Sequence, residues 1–317
     1  MSRTIDEIET ITSGGASPVV TYHPVVLDVP GRAVPLALKV SAPANGTDLP
    51  VLLLSHGHGA SVFLSSLHGY GPLSNYFASE GFVVLQPTHL DSGTLGLREA
   101  DDPDAPLYAR SRAADMRYLV DHLGDIESTV PGLAGRVDHD RIAAAGHSLG
   151  GHTTCMLLGM GAQDPATGET LDARIDRVRA GVVLAAPGNG DLADWAAENY
   201  PWLRVCDFST MTTDALVVAG DEDLNPMFSD RLSYRWDSYT QSPGPKSLLM
   251  LHGAEHMLGG VSGYDADETT DEDPQRVALL RSVAVAYLRS VLYPGDRSWN
   301  DAVAGLASEP TATVEEK

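Results

Sequence analysis

Cysteine is nearly absent: Cys155 and Cys206 are the only two in 317 residues. At most one bridge is possible, which is not the economy of a disulfide-stapled secreted scaffold, and both read as reduced core thiols. Cationic residues are also scarce, with 21 Lys plus Arg against 43 Asp plus Glu and a formal net charge of −22. Such a field repels phosphate backbones and anionic membrane surfaces within a Debye length, so nucleic acid is not an expected partner. No run of about 18 apolar residues occurs, so no membrane span is expected. The opening MSRTIDEIETITSGG is polar and acidic and lacks the apolar stretch of a secretory leader, which makes a cytoplasmic setting the expectation. Aromatics are few, at 6%, yet apolar residues reach 43% and charged residues 20%, the profile of an ordinary globular chain.

What is present is an alternation of apolar runs and amphipathic stretches. Runs rich in Val, Leu and Ala at 51–55, 82–85, 141–145, 181–185, 215–219 and 247–251 read as strands buried on both faces of a mainly parallel sheet. Two earlier stretches, 19–29 and 33–40, alternate better and are joined by Pro30-Gly31, which predicts an antiparallel hairpin at the sheet edge. Roughly eight strands result. Helices are expected over 107–123, where Met116, Leu119, Val120 and Leu123 share a face, and from Asp273-Pro274 to the Pro294-Gly295 stop. The fold class is therefore α/β, with helices on both faces of the sheet. Two excursions, 90–106 and 187–213, break the alternation and read as functional rims. Residues 1–18 read as an N-terminal extension, 19–295 as one domain, and 296–317 as a polar tail expected to fray.

The sharpest local signal is Gly146-His147-Ser148-Leu149-Gly150, after the strand at 141–145 and opening a helical stretch. In a chain of this composition chance yields such a match roughly one time in four, so the strand-turn-helix context carries the weight. A serine on a tight turn needs small neighbours, and the helix N-terminus adds a positive dipole beside it. A serine hydroxyl also needs a base held by a carboxylate. His256 follows the last predicted strand, in Gly253-Ala254-Glu255-His256. Two carboxylates, Asp221 and Asp223, follow the strand at 215–219. Asp223 is preferred because the extra loop past Gly220 carries it towards the histidine, whereas Asp221 is placed to cap the turn. Acyl transfer further needs amides aimed at the developing oxyanion. Leu149 supplies one, and His58, in Ser55-His56-Gly57-His58-Gly59, supplies the other. His56 and His58 also suit the start of a metallo-hydrolase pattern, but Gly59-Ala60-Ser61 brings no Asp-His continuation. Six carboxylates between Asp265 and Asp273 lack the central glycine and spacing of an EF-hand and read as a solvated loop.

Taken together, these four segments resemble the α/β-hydrolase superfamily in order, spacing and strand context, over residues 19–292. The stretch 118–151, with Asp138-His139-Asp140-Arg141-Ile142 leading into the serine turn, resembles the branch holding chlorophyllase-like, platelet-activating-factor-acetylhydrolase-like, dienelactone-hydrolase-like and cutinase-like enzymes. In that branch the residue after His-Gly and the residue after the serine donate the oxyanion amides, which is the role given to His58 and Leu149. A dienelactone-type enzyme carries cysteine at the turn, and position 148 is serine. The expectation is a serine carboxylic-ester hydrolase with Ser148, His256 and Asp223 as triad, without metal or organic cofactor. Its partner would be a small-molecule or polymeric ester. Lactone, thioester and amide hydrolysis need the same residues, and a non-catalytic ligand-binding protein of this fold is the rival from another class. The aromatics Trp195, Tyr200, Trp202 and Phe208 either shape the pocket or pack a surface insertion.

Overall fold

The apolar runs form strands because each is covered on both sides. In the computed structural model, which describes residues 16–317, every residue of β3 (Leu49–Ser55) and β4 (Val83–Pro87) is buried. Of the extension expected over 1–18, residues 1–15 lie outside the described residues. The hairpin forms as expected, with β1 (Val19–Leu27) antiparallel to β2 (Leu36–Pro43). The remaining strands are β5 (Val137–His147), β6 (Gly161–Gln163), β7 (Thr170–Leu171), β8 (Val178–Leu184), β9 (Cys206–Asp207), β10 (Asp214–Gly220), β11 (Lys246–Leu251) and β12 (Ala312–Glu316). The main sheet has the order β1-β2-β4-β3-β5-β8-β10-β11-β12, while β7-β6-β9 make a small separate sheet. From β4 to β11 the six neighbours run parallel.

Among the described residues the α-helices are α1 (Gly71–Ser79), α2 (Ala109–Asp121), α3 (Leu123–Thr129), α4 (Leu149–Leu157), α5 (Asp194–Asn199), α6 (Asp237–Thr240), α7 (Pro274–Leu292) and α8 (Ser298–Leu306). Two apolar clusters lie on opposite faces of the sheet. One is built with α2, α3 and α4, the other with α1, α7 and α8. Helix α7 starts where Asp273 accepts hydrogen bonds from the Gln275 and Arg276 amides at 3.0 Å, with Pro274 at its first turn. Both cysteines are free thiols in the interior.

The tail corrects an expectation. Instead of fraying after residue 296, the chain forms α8 and then β12, a ninth strand antiparallel to β11. Its sequence, Ala312-Thr-Val-Glu-Glu316, has little apolar content because an edge strand buries only one side, and Ala312 is its one buried residue. The Trp299 indole N–H donates to Glu316 at 2.7 Å, tying helix to strand.

β3 is the point from which the sheet grows both ways. The chain leaves it to add β4 on one side and later β5 on the other, so the loops after β3 and β5 diverge and open a crevice at their carboxyl ends. In open α/β sheets that is where ligands bind.

Candidate active site

β5 delivers Ser148 to this crevice on a strained turn, with φ 55° and ψ −120°. The surrounding glycines are sterically required. A Cβ on Gly146 would stand 2.1 Å from the Gly150 carbonyl oxygen, and one on Gly150 would stand 2.1 Å from the Ser55 carbonyl oxygen. Even Gly151 has Ala186 Cβ at 2.8 Å from where its own would be. The Ser148 amide donates to the Leu184 carbonyl at 2.9 Å, anchoring the turn on β8. Leu149 opens α4, a position whose N–H has no intrahelical acceptor.

The two other predicted side chains arrive from the ends of β10 and β11. Ser148 Oγ lies 2.9 Å from His256 Nε2, and His256 Nδ1 donates to Asp223 Oδ2 at 2.8 Å. Asp221 is elsewhere: it accepts from His252 Nδ1 and from the Gly253 amide, both at 2.7 Å. Asp223 has a second partner that sequence reasoning missed, Arg235, whose Nε lies 3.1 Å from Oδ2. Burial raises the Asp223 pKa, but the charge and hydrogen bond of His256, with Arg235 behind them, outweigh burial and hold the carboxyl below its ordinary range.

His147, the residue before the serine, was also missed. Its Nε2–H donates to the His256 carbonyl at 2.8 Å, and its Nδ1 lies 3.2 Å from the Tyr70 hydroxyl. That hydroxyl accepts from the Gly57 amide at 2.8 Å. One buried chain of groups thereby joins the serine turn, the histidine loop and the loop after β3. Burial, then the neighbouring His256, pushes the His147 pKa down to about 3, so the link remains neutral.

Because Tyr70 occupies the Gly57 amide, His58 is the next N–H available along that loop. The His58 ring is held by its Nδ1–H, which donates to Asp91 Oδ2 at 2.9 Å. Asp91 is in turn gripped by Arg112 through Nε at 2.8 Å and Nη2 at 2.7 Å, and Arg112 also donates to the His56 carbonyl at 2.8 Å. Arg112 and Asp91 are fully buried. His56 is taken up locally, its Nδ1–H on the Gly57 carbonyl and its Nε2 accepting from the His89 amide. A signal for this cluster existed in the sequence: Arg112 stands four residues before Met116, on the apolar face of α2, where a charge needs a buried partner.

Ser148, Leu149, His256 and His58 line a cavity of about 340 Å³, within the size range of small-molecule sites. Both excursions contribute walls, Arg98 from the first and Tyr200 from the second. The aromatics divide. Tyr200 lines the cavity and stacks on Phe228, Trp195 packs against both, and Trp202 and Phe208 are buried in the core. A larger cavity of about 560 Å³ lies against the β1–β2 turn and is lined by none of Ser148, Leu149, His256 and His58. The acidic loop is solvated at Asp265, Asp267 and Glu272, as expected, but its other three carboxylates are engaged. Glu268 accepts from the Ser61 amide at 2.8 Å and hydroxyl at 2.6 Å, Asp271 accepts from the Glu255 and Gly259 amides at 2.9 and 3.0 Å, and Asp273 caps α7.

Among the described residues no helix is long and apolar enough to cross a membrane. No curated protein matches the sequence. A model of the alpha/beta hydrolase family matches residues 51–316, from β3 to β12. On that match, and with an open, mostly parallel sheet flanked by helices, the chain belongs to the alpha/beta hydrolase family and is a hydrolase in the general sense.

Proposed function

We propose that this hydrolase cleaves carboxylic esters through an acyl-enzyme on Ser148. Ser148 Oγ attacks the ester carbonyl while His256 Nε2 takes its proton, and Asp223 holds the imidazole in the tautomer that leaves Nε2 free to accept. The amides of His58 and Leu149 stabilise the negative charge on the tetrahedral oxygen. His256 then gives the proton to the leaving alcohol, water enters along the same path, and the acid is released. No metal or organic cofactor takes part in this scheme. The observation that carries the reading is the continuous hydrogen-bond chain Ser148–His256–Asp223, at 2.9 and 2.8 Å, on a serine with positive φ at the crevice. Within the family, the run Asp138 to Ile142 before the serine turn supports the branch of chlorophyllase-like, platelet-activating-factor-acetylhydrolase-like, dienelactone-hydrolase-like and cutinase-like enzymes. Ser148→Ala is expected to lower p-nitrophenyl acetate turnover by at least ~10³-fold and to abolish fluorophosphonate labelling. Turnover within a few-fold of the parent would overturn the proposal.

A further inference from the structure

The candidate cavity is a cationic place in a strongly acidic molecule. Two guanidinium groups, Arg98 and Arg235, line it, and no Asp or Glu does, although the whole chain carries a net charge of −22. The two arginines differ in how their charge is answered. Arg235 lies 3.1 Å from the Asp223 carboxylate and is committed to it. Arg98 forms no ion pair among the described residues; the Asp91 carboxylate acts on its charge from a distance, but its oxygens are bound by Arg112 and His58. Its Nε donates to the Asp91 carbonyl and its Nη2 to the Gly59 carbonyl, both at 2.6 Å. These bonds use one edge of the planar guanidinium and fix its orientation, leaving Nη1 and the second Nη2 hydrogen, the end-on fork that matches a carboxylate.

A neutral donor would serve the two carbonyls without the cost of desolvating a charge in a half-buried wall. What the charge adds is an anion site in the same small cavity as Ser148. Resting on the esterase reading, we infer that the substrate is an anionic ester, one bearing a carboxylate that Arg98 receives while its ester carbonyl faces Ser148. The net charge of the molecule opposes the approach of anions only weakly at physiological salt, where the Debye length is about 8 Å, whereas the contact with Arg98 is direct.

The test is a comparison of matched pairs. Monoethyl esters of linear dicarboxylic acids from succinate to pimelate are assayed by pH-stat against ethyl esters of monocarboxylic acids with the same backbone length. Acetate esters of hydroxy acids are assayed against acetates of the corresponding alcohols, which covers an anion on the alcohol side. For at least one pair the anionic ester is expected to have a kcat/KM at least tenfold higher. In Arg98→Gln that ratio should fall to about one, and Arg98→Lys, which keeps the charge but loses the fork, should keep part of it. Because the readout is a ratio within one variant, a general loss of structure around Gly59 does not produce it. Hydrolysis of neutral esters with no anionic preference in any pair, or a preference that survives Arg98→Gln, would overturn the inference and leave the esterase reading standing. Absence of turnover in every pair, with no fluorophosphonate labelling of Ser148, would remove the esterase reading and this inference together.

Discussion

Ser148 holds φ 55° and ψ −120°, a conformation that glycine adopts freely and other residues only under strain, worth about 1–3 kcal/mol. Its hydroxyl is useful because the turn presents it, so stability and chemistry conflict at this residue. Ser148→Gly should therefore unfold at a higher temperature than Ser148→Ala, by a difference equivalent to about 1 kcal/mol after the extra entropy of the unfolded glycine is subtracted. Thermal unfolding of the two variants measures it. At Asp223 the depressed pKa sets a pH window. The carboxylate contributes stability that is fully present above its ordinary value of 3.8 and is lost as pH falls through the lower folded value. Asp223→Asn should flatten the fall of Tm below pH 4, and it should damage ester turnover far more than Asp221→Asn, whose parent side chain bonds His252 instead. The neighbouring histidines do not confuse the activity profile. Burial pushes His147 down to about 3 and His152 to about 4, and holds His56 and His89 well below the ordinary imidazole value. None of these four should add a proton to the acid limb of kcat/KM above about pH 5, which a pH–rate profile checks.

At the scale of elements, the serine turn is a close crossing of β5, α4 and the end of β3. Backbone meets backbone at Gly150, where a Cβ would sit 2.1 Å from the Ser55 oxygen, and no side-chain rotation relieves that contact. Gly150→Ala should cost about 3 kcal/mol or more, seen as a large drop in Tm together with lost turnover. The loop after β3 is held from the other side by Arg112 on α2. Replacing Arg112 with Met would leave the buried Asp91 carboxylate with only its His58 hydrogen bond, a loss of about 3 kcal/mol; a Tm close to the parent's would show that the loop does not depend on this clamp. The glycine pattern was legible because its steric cause is local. The clamp was visible only as an anomaly, a charge on an apolar helix face, and its partner Asp91 lies in an excursion whose course no periodicity describes.

For the whole molecule, β12 closes one edge of the nine-stranded sheet. Its main chain bonds β11 from Ser247 to Leu251, and Lys246 and Lys317 exchange backbone hydrogen bonds at 3.0 Å in both directions. Deleting residues 308–317 should expose the β11 edge, lower stability on the order of 2–4 kcal/mol and promote association, read by thermal unfolding and light scattering. The sequence by itself determined the strand and helix alternation, the hairpin at the first edge, the strained serine turn and the order in which serine, acid and histidine follow one another. All of these are properties of contiguous residues, whose periodicity and sterics act over a few positions. It also brought His256 forward, in the loop after an apolar run, together with the pair Asp221 and Asp223, of which Asp223 was preferred. Only the tertiary structure decided that the polar tail becomes an edge strand, that Arg235 joins His256 on Asp223, that Tyr70 and His147 couple three loops, and that Arg98 stands in the wall beside Ser148 with carbonyls rather than a carboxylate for partners. Those relations arise where separate loops meet at one edge of the sheet, and the distances between side chains so far apart in the chain are set by packing, which no spacing along the polymer encodes.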